Sequence, residues 1–438
     1  MLHLTSAAAL FLAVSVLGND WPQFRGPDTN GVVGPAKLPE TWSASSNIAW
    51  KAKVGSGWAQ PIVVGGTVYV AEAVGKGLEA PKGWEEGLAL TTGEPGAVPD
   101  VEIDWRLVAL DLATGKEKWA KSVVRAKPAH PIHASNTWAS ETPAADAHGV
   151  YAFFGMAGVL AAFDPAGKEL WRADLGTYPW MSGWGSGSSP VVHEGKLYVQ
   201  DFNDTRAFVA CFDTQSGKEL WRVENEKPGT SWATPLLWKH GKEIELVTSA
   251  PKLVIGRDLA TGKELWRVAG LESPSLCSFA ADAERLYFGQ RGPGASPPLY
   301  ALSAGLKGDC SPAAGSREPK GMAWLAMNTS PNMSSPVSAG GLLYLVQDDL
   351  LTCLDAASGE KLYEERVPGF TAAAASPIVI GEQLLLLDED GHAVWVAVGP
   401  DFEPVAAGTL EDLFWCTPVV ASDALLLRGR ETVYCIRK

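Results

Sequence analysis

Five tryptophans occupy related positions that would suit ligand binding. Trp58, Trp232 and Trp415 each lie three residues before a proline that recurs along the chain, and Trp138 and Trp184 lie five and six residues before other copies of it. The segment that this proline opens is expected to be the innermost strand of a ring, so the indoles would gather at one mouth of a central channel. Such aromatics can stack a quinone, a sugar or a peptide side chain. The alternative is that they simply plug the channel.

Glu141 is the sixth candidate. The position it occupies, just before the Ser or Thr of the same phrase, is small and uncharged in the other copies: Ala59, Ser188, Ala233, Cys277, Ser334, Ala375 and Cys416. A carboxylate facing a narrow channel would be desolvated, with a raised pKa, or paired with a cation. Glu141 could therefore ligate a metal, hold a ligand or pair with an arginine, and Asn136 and Ser140 are its nearest polar neighbours.

The cysteines and histidines give weaker signals. Five of the six cysteines replace small residues at packed strand positions, so no disulfide framework is expected. His130 and His133 lie in a proline-rich loop without nearby ligands, which favours a solvated loop over a zinc site. Three further histidines fall at hairpin turns and are predicted to lie at the surface: His148, His193 and His240.

A repeat positions these residues. One phrase recurs along the chain: small residue, apolar residue, Asp, any two residues, Thr or Ser, Gly, Lys, Glu, any residue, Trp. Full copies end at Trp119, Trp221 and Trp266, and variant copies end at Trp171 and Tyr363. Trp50 ends a related strand at the other end of the chain. These tryptophans are expected to dock each repeat on the next, because large flat side chains bury the most area.

Each repeat offers four short β-runs. In the third repeat they are 190–193, 196–200, 208–213 and 219–223, separated by turn residues. Four-stranded units repeated about every 40–45 residues are typical of propeller blades, and eight copies are present. The sequence thus predicts an all-β, eight-bladed propeller, in which the run 47–52 completes the last blade and closes the ring.

The composition and the N-terminal sequence indicate how the chain is divided and which partners are excluded. The 438 residues carry a formal charge of −14, which argues against nucleic acid as a partner. Residues 1–18 resemble a cleaved signal peptide, residues 19–45 form a leader segment, and residues 46–438 form one propeller. No later stretch is predicted to span a membrane. The insertion at about 75–104 is expected to be a mobile acidic flap over the first blade, either a partner-binding loop or a decorated hairpin.

The repeat resembles that of the pyrroloquinoline-quinone (PQQ) propeller superfamily. The leader 21–27 and the segments 136–143 and 183–190 resemble secreted PQQ-binding-like repeat proteins of bacteria. The superfamily includes quinoprotein dehydrogenases and a non-catalytic propeller lipoprotein of the outer-membrane assembly machinery. The resemblance to the enzymes would imply PQQ between a Trp and a vicinal disulfide, with calcium held by Glu, Asn and Asp. This chain has no adjacent cysteine pair.

We therefore expect a secreted or periplasmic, monomeric propeller that acts as a non-catalytic binding or scaffold module of the cell envelope. Its partner would be an envelope protein or a small ligand at the channel mouth. Two alternatives remain open. One is a PQQ-dependent oxidoreductase with the quinone and calcium in the channel, near Trp138, Glu141 and Trp184. The other is a carbohydrate-binding propeller that uses the tryptophans.

Overall fold

The computed structural model describes residues 20–89, 96–270, 276–289 and 298–438. Eight antiparallel sheets follow one another as blades around a centre, which confirms the predicted eight-bladed propeller. The predicted signal peptide lies outside the described residues. No helix in the described ranges is long and apolar enough to cross a membrane.

The strands of blades 1 to 4, from innermost to outermost, are Ile62–Val64, Thr67–Val74, Ile103–Asp111 and Glu117–Ala126; Ala144–Ala145, Val150–Phe154, Val159–Phe163 and Glu169–Asp174; Val191–His193, Lys196–Phe202, Ala207–Asp213 and Glu219–Glu224; Leu236–His240, Glu243–Ala250, Leu253–Asp258 and Glu264–Ala269. Those of blades 5 to 8 are Ala280–Ala281, Arg285–Gly289, Leu299–Ser303 and Met322–Ala326; Val337–Ala339, Leu342–Gln347, Leu350–Asp355 and Lys361–Arg366; Ile378–Ile380, Gln383–Leu387, His392–Ala397 and Pro404–Thr409; Val419–Ala421, Ala424–Arg428, Thr432–Ile436 and Ile48–Lys53.

Four short elements lie outside this pattern. Strand Val32–Val33 extends blade 7 at its inner edge, and strand Gly308–Asp309 extends blade 4 at its outer edge. A short helix spans Trp84–Ala89, and a 3-10 turn spans Met181–Gly183.

The repeated Asp-x-x-Thr-Gly-Lys phrase forms the turn between the third and fourth strands. In blade 1 the Asp111 carboxylate accepts the Thr114 backbone N–H at 3.0 Å, and Gly115 takes a φ of 70°. This left-handed conformation is strained for residues that carry a Cβ. The glycine is also required because a Cβ there would lie 2.5 Å from the ring of Trp50, which packs on the turn.

Repeat tryptophans dock blades 1, 2, 3, 5 and 8 on the blade that follows, which confirms the prediction for Trp50, Trp119, Trp171 and Trp221. The indole N–H of Trp119 donates to the Pro165 carbonyl at 3.0 Å, and that of Trp171 donates to the Thr214 carbonyl at 2.9 Å. Trp50, Trp221 and Trp324 make the corresponding bonds to blades 1, 4 and 6. Trp266 differs: its indole N–H donates to a carboxylate oxygen of Glu245 in its own blade.

The predicted closure of the ring is confirmed. Strand Ile48–Lys53 pairs antiparallel with Thr432–Ile436 and supplies the outermost strand of blade 8. Trp50 then docks blade 8 on blade 1 through its bond to the Leu112 carbonyl at 3.0 Å. The strands at the two ends of the propeller segment are therefore held in one sheet.

The leader winds through the centre of the ring. Its backbone pairs with the innermost strand of blade 1 at Trp21 and Val63, and strand Val32–Val33 pairs with the innermost strand of blade 7. Between these points the Pro22 carbonyl accepts the Ala145 N–H of blade 2 at 2.8 Å, and the Gln23 amide oxygen accepts the Val192 N–H of blade 3 at 2.8 Å. Inner strand edges that would otherwise face an open channel thus gain partners.

Candidate functional site

A chain of hydrogen bonds joins the Ser or Thr of the recurring phrase from blade to blade. Each hydroxyl accepts the backbone N–H of the equivalent residue in the preceding blade, over 2.9–3.2 Å. We call these residues the hydroxyl ring: Thr142, Ser189, Thr234, Ser278, Ser335, Ser376 and Thr417. A hydroxyl that accepts one N–H still has its own proton to donate. The ring therefore fixes the blade spacing and leaves hydroxyl groups lining the centre.

Gln60 replaces the hydroxyl where blade 8 meets blade 1. Its amide nitrogen donates to the carbonyls of Thr417 and Pro418 at 3.1 and 3.0 Å, and its amide oxygen accepts the Arg25 backbone N–H at 3.0 Å. A longer amide side chain at this single position therefore completes the circle and ties it to the leader.

Arg25 anchors the leader across the channel. Its guanidinium, fully buried, donates to the Phe279 carbonyl of blade 5 at 2.8 Å and to the Pro336 carbonyl of blade 6. It also bonds to the Asn30 carbonyl within the leader at 3.0 Å. Burial lowers the pKa of Arg25 to about 10. Phe24 beside it lines the inner end of the remaining space.

The space that remains is a central cavity of about 180 Å³. The hydroxyl ring and Gln60 contribute to its wall, and the other described lining residues are neutral: Phe24, Trp58, Ser140, Gly187, Trp232, Leu276, Met333, Ala374, Trp415 and Cys416. This volume is below the roughly 300–1,000 Å³ of typical pockets for drug-sized ligands. The cavity is thus suited to ordered water or a small neutral solute.

Aromatic rings gather around Trp58 and Trp415 at one mouth of this cavity. Trp58 stacks on Trp415 with ring centroids 5.5 Å apart, and Trp84 lies 6.2 Å from Trp415 and 5.9 Å from Trp184. Trp184 in turn stacks on His133 at 3.8 Å. We call these five residues the mouth cluster. Burial lowers the pKa of His133, so the ring that stacks on Trp184 is neutral at physiological pH.

The 75–104 insertion supplies Trp84 to the mouth cluster. A carboxylate oxygen of Glu389 in blade 7 accepts both the Trp84 backbone N–H and the Trp415 indole N–H, each at 3.0 Å. The Lys82 backbone N–H bonds to the Ala134 carbonyl of the loop that enters blade 2. The predicted flap over blade 1 is therefore corrected in its placement: it reaches across the mouth to blades 2 and 7.

The five tryptophans predicted as binding residues lie in the cavity wall, in the mouth cluster or in the core of blades 1 and 2. Trp58, Trp232 and Trp415 line the cavity, and the Trp232 indole N–H bonds to the Gly185 carbonyl at 2.7 Å. Trp184 lies in the mouth cluster. Trp138 is buried against Trp105, whose indole N–H bonds to its carbonyl at 2.7 Å, and it does not line the cavity.

Glu141 is buried next to the cavity but does not line it. One carboxylate oxygen accepts the Gly155 N–H at 3.0 Å, and the Ser186 hydroxyl bonds to the same carboxylate. Burial raises the pKa of Glu141, and these hydrogen bonds oppose the shift. The carboxylate therefore points between blades 2 and 3, where it holds the segment that carries Trp184.

Asp201 is a second buried carboxylate near Glu141, and the sequence reading missed it. Burial raises its pKa to about 7; the Asn203 amide, 2.9 Å away, opposes the rise, and the Glu141 charge adds to it. Nothing in the repeat marks Asp201, because it follows an ordinary strand pattern. Phe24, Arg25 and Trp84 were also missed, since they belong to the leader and the insertion and not to the repeat.

Asp201 should make the stability of the protein depend on pH. Its folded pKa lies above the unfolded value of about 3.9, so its contribution to stability is full at low pH and is lost as pH rises towards 7. We expect the unfolding free energy to fall by roughly 2 kcal/mol from this group between pH 5 and 8. Calorimetry should give a clearly shallower slope for Asp201→Asn. Glu226→Gln, at an exposed site, should keep the original slope, and an unchanged slope in Asp201→Asn would refute the assignment.

The chain matches a known protein family. The family model described as outer membrane protein assembly factor BamB matches residues 156–304 and 311–399, more than half of the chain. The chain belongs to this family. No curated protein matches it.

Solved structures with the same fold have mixed functions. A europium-containing methanol dehydrogenase is 13% identical, with a TM-score of 0.58, over 95% of this chain and 89% of its own. The quinohemoprotein alcohol dehydrogenase ADHIIG from Pseudomonas putida HK5 is 12% identical, with a TM-score of 0.59, over 96% and 80%. BamB from Moraxella catarrhalis is 14% identical, with a TM-score of 0.51, over 79% and 95%. At these identities the likeness establishes the fold, not the activity.

The cavity does not fit PQQ with calcium. Its described lining has no charged side chain to ligate a calcium ion, which prefers carboxylate oxygens. Cys416 has no cysteine neighbour in sequence, so the vicinal disulfide that the resemblance to the enzymes would imply is not available. The buried guanidinium groups of Arg25 and Arg428 are already bonded to backbone carbonyls.

Proposed function

We propose that this protein is a non-catalytic binding or scaffold module of the bacterial cell envelope. The blocked channel is the observation that carries the proposal. The leader fills one side, the mouth cluster lies at the other, and the cavity between them has a described lining without a carboxylate, an imidazole or a cationic side chain. Its one thiol, Cys416, has its pKa raised to about 12 by burial and is therefore not a nucleophile at physiological pH. Chemistry on a bound substrate would need such groups, whereas binding to an outer surface would not.

The mouth cluster is the surface that would take the partner. Trp84, Trp184 and Trp415 are partly exposed there, and partly exposed indoles are typical of the centres of protein interfaces. The hydrogen bonds to Glu389 hold the Trp415 ring and the backbone of Trp84 in place before binding, which lowers the entropic cost of association. The family description, outer membrane protein assembly factor, supports an envelope protein as the partner.

Capture from an envelope extract tests this proposal. Immobilised full-length protein should retain a defined partner that Trp184→Ala retains at least about tenfold less, since loss of a central indole commonly costs 2 kcal/mol or more. Leu220→Ala, which removes an exposed side chain on the outer edge of blade 3, should retain it fully. Circular dichroism would verify that both variants fold. Equal capture by wild type and Trp184→Ala, or no defined partner, would contradict the proposal.

Ligand titrations separate the two alternatives. Addition of PQQ with Ca²⁺ should leave the tryptophan fluorescence without saturable quenching. Saturable quenching lost in Trp415→Ala would favour the oxidoreductase. Saturable glycan binding would favour the carbohydrate-binding propeller, although stacking on Trp415 and His133 already covers one ring face of Trp58 and of Trp184.

A further inference from the structure

The contact between blades 4 and 5 departs from the rule that the other docking tryptophans follow. Blade 5 lacks the Asp-x-x-Thr-Gly-Lys turn, so Trp266 of blade 4 has no matching carbonyl to bond. Its indole N–H instead donates at 2.6 Å to Oε2 of Glu245, and both side chains are buried. A buried carboxylate is costly unless cations or hydrogen-bond donors compensate its charge. The indole provides one donor, and the other oxygen, Oε1, is left to a different partner.

That other oxygen faces a cluster on the first hairpin of blade 4. His240 ends the innermost strand, and Glu243 and Glu245 begin the next one. His240 pairs in register with Glu243, and Trp238 pairs with Glu245, so the four side chains lie on one face of the hairpin. One ligand atom from each of His240, Glu243 and Glu245 lies within 4.8 Å of the other two.

His240 indicates that this cluster has room for a further bonding partner. It was predicted to lie at the surface, but its side chain is 6% exposed, because its ring packs on Trp238 at a centroid distance of 4.6 Å. Its Nε2 is 3.3 Å from Oε1 of Glu245, yet among the described residues it has no hydrogen-bond partner. A buried ring nitrogen without a hydrogen bond is uncommon. Here it points towards two carboxylates.

We propose that His240, Glu243 and Glu245 bind a divalent transition-metal ion of the Zn²⁺ class. An imidazole nitrogen with carboxylate oxygens is a suitable donor set for such ions. The hydrogen bond from Trp266 orients the Glu245 carboxylate in the way that outer contacts commonly orient metal ligands. Glu243 is exposed, so the ion would have a route of entry and positions open to water.

The site lies on the leader side of the ring, away from the mouth cluster. Lys239, next to His240, forms an ion pair with Asp28 of the leader. The proposal is therefore independent of the proposed partner surface. The competing explanation is a plain ion pair between protonated His240 and Glu245, which would need no metal.

Equilibrium dialysis of the full-length, tag-free protein against Zn²⁺, with the metal measured by mass spectrometry, tests the site. We expect saturable binding of one ion per chain. Both Glu243→Gln and His240→Gln should weaken it by at least about tenfold. The matched control is Glu194→Gln at the corresponding turn of blade 3, where His193 also neighbours a glutamate; it should bind as the wild type does. Because Glu243 is exposed, its substitution should leave the fold intact.

X-ray absorption at the zinc edge identifies the ligands. We expect nitrogen and oxygen neighbours at about 2.0–2.2 Å and no sulfur. No cysteine belongs to the proposed cluster, so sulfur ligation would place the ion elsewhere in the chain. Absence of saturable binding, equal binding by Glu243→Gln and wild type, or sulfur in the spectrum would each overturn the proposal and favour the ion pair.

Discussion

Deletion of residues 46–54 is expected to abolish the cooperative thermal transition of the folded ring. The deletion removes the strand Ile48–Lys53, which is the outer quarter of blade 8, and leaves Thr432–Ile436 as an unpaired edge. It also removes Trp50, whose indole docks on the Gly115 turn of blade 1. Loss of a buried tryptophan alone costs about 3–5 kcal/mol, and the whole fold is worth only about 5–15 kcal/mol.

Calorimetry and circular dichroism measure this effect. Trp50→Ala is the milder variant and should fold with a lower melting temperature, which keeps the prediction testable if the deletion protein does not accumulate. Lys53→Gln, at the exposed end of the same strand, should melt with the wild type. A deletion protein with an unchanged transition would show that the ring does not depend on this closure.

The repeat explains why the architecture could be predicted. Blades 1 to 4 reuse one turn, shortened in blade 2, and one tryptophan after it, so these four strong copies were enough to place the weaker ones. The exception also has a physical cause. Trp266 has the repeat sequence but not the repeat contact, because the carbonyl it would bond belongs to a turn that blade 5 has lost. A pattern in one blade cannot report a change in its neighbour.

The candidate site was predicted less well, for related reasons. Trp58, Trp232 and Trp415 line the cavity because their distance from the recurring proline fixes their position on the inner strands. Trp138 is displaced from it by the longer loop before blade 2, where it packs on Trp105. The orientation of Glu141 depends on the Gly155 N–H and on Ser186, which come from different strands or blades. Such contacts between distant segments leave no local sequence signal.

The leader is the clearest case of contacts that its own sequence does not predict. It has no repeat of its own, and its proline-rich and glycine-rich sequence predicts no regular element. In the structure, however, it pairs with the innermost strands of blades 1 and 7 and bonds to those of blades 2 and 3 between the two pairings. Its role follows from the inner strands, whose edges need partners, and not from any pattern within the leader.

Arg25→Met should therefore destabilise the whole ring by about 3 kcal/mol. The substitution leaves the carbonyls of Asn30, Phe279 and Pro336 without their donor, and each unsatisfied buried group costs about 1–3 kcal/mol. Relief of the buried charge acts in the opposite direction. Burial lowers the pKa of Arg25 to about 10, which corresponds to roughly 3 kcal/mol of desolvation. The lost hydrogen bonds outweigh this gain because methionine fills much of the space and keeps water from reaching the carbonyls.

Denaturant unfolding of the two proteins measures the difference. The matched control is Arg125→Met, at an arginine whose side chain is 58% exposed, and its effect should stay within about 0.5 kcal/mol. Arg25→Lys should also be destabilised, because a compact ammonium cannot span the carbonyls of blades 5 and 6 as the planar guanidinium does. Wild-type stability in Arg25→Met would mean that the inner strands hold the ring without the leader. The channel would then be open to a ligand whenever the leader dissociates, and the case for a non-catalytic module would lose its main support.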